Sequence, residues 1–219
     1  MKEPRKKTGR PLSFDRATAL ERAMHAFWRH GYETTSVAEL TAAMGVTAPS
    51  LYAAFGDKQA LFLEAMRLYA GDSAAIGAAL DGAPSARAGI ATMLRATAIA
   101  FTGAATPAGC LLASATASGS AASQAVQAAV AAVRRQIGEL LRGRIAVDVA
   151  SGMLPASVDA QAQADVVIAV ISGMSVLARD GVARERLLAL GEQALLGLGG
   201  NDAGKAQAGK AEAGKETGS

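Results

Sequence analysis

Two histidines and one cysteine occur among the 219 residues, and this scarcity excludes several classes of function. A single cysteine forms no internal disulfide and fits a reducing compartment. Both histidines, His25 and His30, fall on the first helix-like stretch. The rest of the chain then has no base for a serine or cysteine nucleophile and no His/Cys/carboxylate cluster for a metal. Neither catalysis nor a metal or other cofactor is expected. Long hydrophobic runs are missing as well. The longest uncharged apolar stretch, VVIAVISGMSVLA, covers only residues 166–178, short of the ~20 residues that span a bilayer. No apolar stretch of about 7–15 residues follows the basic start, so no secretory signal is read. A soluble, cytoplasmic protein is expected.

Aromatic residues make up only 4% of the chain and strand-type β-branched runs are scarce, whereas hydrophobic residues as a whole reach 51%. That leaves an Ala/Leu/Val-rich chain, and Ala and Leu are strong helix formers. An all-α fold is expected. Charge is uneven: the whole excess of +3 arises in residues 1–60, mainly from Lys2, Arg5, Lys6, Lys7 and Arg10 against Glu3. A basic arm of this kind points to an anionic partner, most often nucleic acid, or else to a solvated tail.

The six prolines punctuate helix-length segments. Asp15 is a good N-cap for a first helix, on which Leu20, Ala23, Met24 and Phe27 make one apolar face before Gly31 stops it. Ser36 with Glu39 three residues on is a capping box for a short second helix that ends at Gly45. Thr47 then serves as N-cap of a third, which places Ala48 and Pro49 at its first two positions. A proline there removes no intrahelical bond. Leu51 and Phe55 face inward, and Asp57 caps a further helix carrying Leu61, Phe62, Ala65, Met66 and Tyr69. Helices are expected near 85–103, 110–118, 121–152, 159–180 and 183–198. The segment 166–178 is apolar all round and is expected to be buried on several sides. With Leu187, Leu190, Ala194 and Leu198 on the next helix, it suits either a helix-on-helix dimer interface or an ordinary core. Residues 199–219 repeat AGK with period five and carry no large apolar residue, so they read as a disordered tail. GGNDAGK, residues 199–205, imitates part of a phosphate-binding loop, but Ala206 replaces the required Ser/Thr and no strand precedes it.

The two short helices joined at Gly45-Val46-Thr47 form a helix-turn-helix, a geometry in which the second helix enters the DNA major groove N-terminus first. AFWRHGYETTSVAELTAAMGVTAPSLYAAFGDKQALFLEA, residues 26–65, resembles the DNA-binding head of the TetR/AcrR family of bacterial transcriptional regulators. The likeness covers roughly residues 12–66. It rests on Phe27, Gly31-Tyr32, Thr35, Val37, Gly45-Val46, Leu51-Tyr52, Phe55 and Lys58. It implies four parts: a flexible basic arm (1–11), a helix-turn-helix domain (12–56), a helical effector-binding and dimerisation domain (57–198) and the tail (199–219).

The resemblance also implies roles. Thr35 and Ser36, at a helix N-terminus, suit a phosphate; Tyr52 resembles the family's phosphate-contacting tyrosine, with a packing aromatic as the alternative; Lys58 is placed for another phosphate. Base reading falls to Thr47, Ala48, Pro49 and Ser50, where many relatives carry a basic or amide side chain. Here no bidentate base contact is available, and contact with thymine methyl groups is what remains. Arg10, within KKTGRP, resembles the Gly-Arg-Pro core of arms that enter an A·T-rich minor groove; nonspecific phosphate binding is the alternative. The partners implied are double-stranded operator DNA, a second copy of the chain through 159–180 and 183–198, and a small apolar effector. The effector's candidate lining is Phe101, Cys110 and Met174. Cys110 is either a thiol sensor of oxidants or electrophiles, or a small packing residue.

Overall fold

The computed structural model describes residues 14–115 and 123–198. The basic arm with Arg10, the 116–118 end of one expected helix, the first residues of the next, and the 199–219 tail lie outside them. The described residues are all-α. Ten helices run α1 (Arg16–His30), α2 (Val37–Met44), α3 (Ala48–Phe55), α4 (Lys58–Ala70), α5 (Ser73–Asp81), α6 (Ala86–Phe101), α7 (Leu111–Ser114), α8 (Gln124–Ala150), α9 (Ala160–Arg179) and α10 (Arg184–Ala194), closed by a 3-10 turn at Leu195–Leu198. The sequence expectation missed α5, a nine-residue helix capped by Asp72 and interrupted by a glycine.

Two compact units divide these helices. The first takes its residues from 1–71 and 114–130, the second from 72–113 and 131–219. The expected boundary after residue 56 therefore falls before α4, whereas α4 packs with the first unit. The reason is aromatic. Phe62 of α4 meets Phe27 of α1 edge-on at 5.1 Å and Tyr32 at 5.1 Å, and Tyr69 meets Trp28 edge-on at 4.8 Å. Edge-to-face pairs of this kind add to the burial of their large apolar surfaces. Leu40, Leu51, Phe55 and Leu61 complete that core.

In the second unit the core gathers Leu80, Ile90, Leu94, Phe101, Leu141, Ile145, Val167, Met174 and Leu187 from α5, α6, α8, α9 and α10. Each such side chain stabilises the fold by about 1.5–3 kcal/mol when fully buried. A polar network runs through it. Arg144 of α8 is ion-paired with Asp148 one turn on, and both are buried. The Arg144 guanidinium also donates to the carbonyls of Leu80 (3.0 Å) and Ala83 (3.2 Å), while Asp148 Oδ2 accepts from the Ala86 N–H at 2.6 Å. One arginine–aspartate pair thus satisfies both ends of the α5–α6 turn. In the loop before α7, Gly109 adopts φ +76°, and a Cβ there would lie 2.7 Å from the Ser175 carbonyl oxygen of α9. Only glycine lets this loop lie so close to the helix.

Helix α9 is twenty residues long, with mean hydropathy 1.5 over its most apolar window, a length and composition that would reach across a bilayer. It carries Asp165, however, and its inner face (Ala164, Val167, Met174, Ser175, Ala178) packs within the second unit. Within the single chain Val166 (43%) and Val176 (56%) are exposed, and so are Ala169 and Gly173 between them, on the face the sequence offered for helix-on-helix pairing. Composition reported the apolar content correctly but could not say which face was covered.

Removing Arg144 leaves Asp148 charged and buried, a situation that costs about 3–5 kcal/mol. Arg144→Ala is therefore expected to lower the urea-unfolding free energy by about that amount. Arg144→Met combined with Asp148→Leu is expected to lose less than the single variant does.

Candidate DNA-reading surface

Local chemistry builds each helix of the first unit. Asp15 Oδ1 accepts from the Thr18 N–H (2.6 Å) and Asp57 Oδ1 from the Ala60 N–H (2.7 Å). At Ser36 the capping box is complete: its Oγ accepts from the Glu39 N–H (3.1 Å), and Glu39 Oε2 accepts from the Ser36 N–H (2.7 Å) and hydroxyl (2.8 Å). Gly45 closes α2 in the left-handed region at φ 71°, and its N–H bonds back to Thr41 and Ala42. Two residues later Thr47 opens α3, its Oγ1 accepting from the Ser50 N–H (3.3 Å) and lying 2.9 Å from the Ser50 hydroxyl. Pro49 sits at the start of α3, where no N–H is required.

This turn brings most of the expected DNA-facing residues together. Leu51 and Phe55 are buried, so the opposite side of α3 faces outward, with Thr47, Pro49 and Tyr52 exposed and Ala48 and Ser50 half-buried. Tyr52 is 50% exposed. A cleft of about 510 Å³ runs beside the turn, lined by Phe14, Thr41, Val46, Thr47 and Ser50 among others. Phe14, the first described residue, lies beside this edge.

Two expectations change. Thr35 is fully buried and its hydroxyl donates to the Gly31 carbonyl, so that hydroxyl serves the α1–α2 corner and not a phosphate. Ser36 is exposed, but its hydroxyl is engaged with Glu39. Lys58 also needs no phosphate to account for its place in the first turn of α4. Its Nζ donates to the Glu33 carbonyl at 3.2 Å and stands 4.6 Å over the Tyr32 ring. Burial lowers the Lys58 pKa, against the opposing pull of Glu33 and Glu39, and burial raises that of Tyr32, helped by Glu33 and Asp57. An ammonium has three donors, so Lys58 keeps capacity for an anion at this edge.

Sequence reasoning missed Arg16 and Glu64. The first residue of α1 reaches the last turn of α3 and pairs with α4. No local motif announces such a contact, because its partners lie 38 and 48 residues away. In the second unit Phe101, Cys110 and Met174 all belong to or pack against one apolar core. Phe101 and Met174 are buried in the core, the Gly109 N–H donates to the Phe101 carbonyl (3.0 Å), and the Cys110 N–H donates to Ser175 Oγ (2.8 Å). Although no basic residue neighbours Cys110 in sequence, the fold brings Arg179 there: its Nε would be 2.9 Å from a Cβ at Gly109.

Comparison with known proteins supports this geometry. Residues 19–65 match the family model described as bacterial regulatory proteins, tetR family, and residues 86–190 match the tetracyclin repressor-like C-terminal domain. The chain is 34% identical over 186 residues to the HTH-type transcriptional repressor ComR of Escherichia coli (strain K12), covering 84% of this chain and 89% of ComR. The HTH-type transcriptional repressor BdcR from the same strain is 42% identical over 66 residues, 30% of this chain and 34% of BdcR. Among solved structures, a cysteine-substituted TetR family regulator, CifR, complexed with 26-bp double-strand operator DNA, matches with TM-score 0.80 and 47% identity, over 85% of this chain and 98% of that one. An outward-facing helix-turn-helix on an all-α chain defines a DNA-binding transcriptional regulator. The chain belongs to the TetR family.

The caps carry a pH signature. The Thr18 N–H holds Asp15, and the Ser36 N–H holds Glu39, below the ordinary carboxylate range. A carboxylate with a depressed folded pKa stabilises the fold fully above its unfolded pKa and loses that contribution as pH falls through the folded value. Glu39→Gln is therefore expected to lower Tm at neutral pH. The gap to the parent should close as thermal unfolding is followed from about pH 6 to about pH 3, and a gap independent of pH would contradict this origin.

Proposed function

We propose that the chain is a dimeric repressor that grips operator DNA through the α2–α3 edge and leaves it when a small apolar ligand binds the second unit. The observation that carries the reading is the uncharged outer face of α3, with Thr47, Pro49 and Tyr52 exposed above a buried Leu51 and Phe55. Thr47, Ala48, Pro49 and Ser50 meet bases by hydroxyl and methyl contacts, Tyr52 and Lys58 bind phosphates, and Ser36 offers its helix N-terminus to the backbone. Arg10 enters the adjacent minor groove. The operator complex of CifR, and the name repressor borne by ComR and BdcR, support the DNA and repression parts.

Dimerisation is supported by the apolar residues that α9 and α10 leave exposed, Val166, Val176 and Leu190, with Ala169 and Gly173 small enough for close helix approach. A dimer reads two half-sites only when its recognition helices lie about 34–36 Å apart, so a modest tilt suffices for release. We place the effector site in the apolar core region of Phe101, Cys110 and Met174, whose side chains suit an apolar ligand. A second reading makes Cys110 a thiol sensor. Cys110 is the chain's single cysteine, and it stands half-buried in the loop before α7. The cytoplasm is the matching compartment.

Tyr52→Phe and Lys58→Ala are expected to weaken binding to operator and scrambled duplexes alike. Lys58→Ala should also reduce the slope of log K against log salt by about one, whereas Tyr52→Phe, which removes no charge, should leave the slope unchanged. Selective loss on the operator alone would contradict the phosphate assignment. For the thiol reading, Cys110→Ser should abolish peroxide-driven release from DNA while leaving affinity unchanged. Release that persists in Cys110→Ser would refute it.

A further inference from the structure

We propose that Arg16 is a positioning residue for the reading helix, a clamp that sets the angle at which α3 presents Thr47–Ser50 to DNA. The proposal rests on the DNA-reading assignment above and adds the part that orients the reader. Arg16 opens α1 and its guanidinium joins three helices. Nη2 donates to both carboxylate oxygens of Glu64 on α4, at 2.9 and 2.8 Å. Nη2 and Nε both donate to the Ala54 carbonyl in the last turn of α3, at 3.2 and 3.4 Å. The guanidinium carbon stands 4.4 Å over the centroid of Phe55, also on α3.

Each contact fills a need of α3. The last carbonyls of a helix have no intrahelical donor, and its C-terminal end favours a cation. Helix α3 has no basic residue in its last turn, so Arg16 supplies from α1 what α3 lacks. Leu51 and Phe55 bury the helix, but apolar burial is non-directional and resists separation more than rotation. A planar guanidinium with donors in a rigid fork does restrain direction. Eight residues span about 12 Å, so a tilt of about 10° pivoting at Ala54 moves the Thr47 end by about 2 Å. That displacement exceeds the tolerance of a hydrogen bond.

Arg16 and Glu64 are 42% and 31% exposed. An ion pair so exposed contributes little to folding, and its effect is expected on geometry. The same exposure raises a rival, direct contact of Arg16 with a phosphate, and the two differ in salt dependence. A lost phosphate contact lowers the salt slope by about one and weakens all sequences alike. A lost clamp leaves the slope and the nonspecific affinity in place and reduces selectivity.

The test uses the full chain, a duplex this protein selects from random DNA, and a scrambled version of it. Arg16→Ala is expected to weaken binding to the selected duplex roughly tenfold, with the scrambled affinity and salt slope unchanged. Glu64→Gln is expected to act in the same direction with a smaller loss, and Arg16→Lys, which keeps the charge without the fork, to recover only part. Equal loss on both duplexes with a reduced slope, or undiminished selectivity in Arg16→Ala, would overturn the clamp. If the parent itself selects no duplex, the DNA-reading assignment fails separately. The clamp is then decided by hydrogen exchange: Arg16→Ala should speed the amides of residues 51–55 while those of α1 hold, and unchanged exchange at 51–55 overturns it.

Discussion

An eight-residue helix cannot support itself in water, because the cost of nucleating it exceeds what its few hydrogen bonds return. Helix α3 exists because Leu51 and Phe55, one turn apart, are buried against the first unit. Two consequences follow from that constraint. Residues on the other side of the helix are released from packing, and the buried pair fixes which ones they are. Tyr52 next to Leu51 and Pro49 two residues before it are turned outward by helix geometry alone. Everything the chain offers to DNA from this edge depends on the aromatic core of Phe27, Tyr32 and Phe62 that backs the short helices.

Polar atoms are satisfied in two ways. Helix N-termini are capped locally in both units, by Asp15, Ser36, Thr47 and Asp57 in the first and by Asp72, Ser85 and Asp159 in the second. In the second unit the α5–α6 turn also relies on Arg144 and Asp148, more than sixty residues further along the chain. A local cap refolds with its own helix. The long-range pair forms only when α8 has docked, so it ties that unit's cooperativity to tertiary structure. Gly109 follows the same logic, since its lack of a side chain has meaning only against the Ser175 carbonyl.

What was legible in the sequence divides along that line. The N-caps, the capping box, the Gly45 turn and the inward pair Leu51/Phe55 were all readable, because each signal lies within four residues of the feature it specifies. Arg16–Glu64 and Arg144–Asp148 were not, because spacing along the chain does not encode which distant carbonyl or carboxylate an arginine will find. Thr35 illustrates the limit most clearly. A threonine before a helix suits both a phosphate contact and a buried corner, and only the fold reveals that its hydroxyl bonds to Gly31. For α9 the apolar content was visible, but its outer residues Val166, Ala169, Gly173 and Val176 are as apolar or small as its inner ones, so composition did not mark which face the single chain leaves exposed.

The absence of charge from Gly45 to Gly56 can now be connected to the cations around it. Lys58 is held by the Glu33 carbonyl and the Tyr32 ring, and Arg16 by Glu64 and Ala54. Arg16 reaches the end of α3 from α1, Lys58 is held at the α1–α2 corner, and neither projects from the outer face of α3 itself. Phosphate attraction is nearly independent of sequence, whereas discrimination needs close base contacts. On the proposed function the charged groups stand on other elements than the base-reading residues, so α3 would contribute little electrostatic affinity on a wrong sequence. Its short hydroxyl and methyl groups reach bases only when the backbone of α3 comes very near the groove floor. A helix that reads with such short side chains would tolerate little error in its own placement, which is the physical sense of the proposed fastening of its far end by Arg16 of α1.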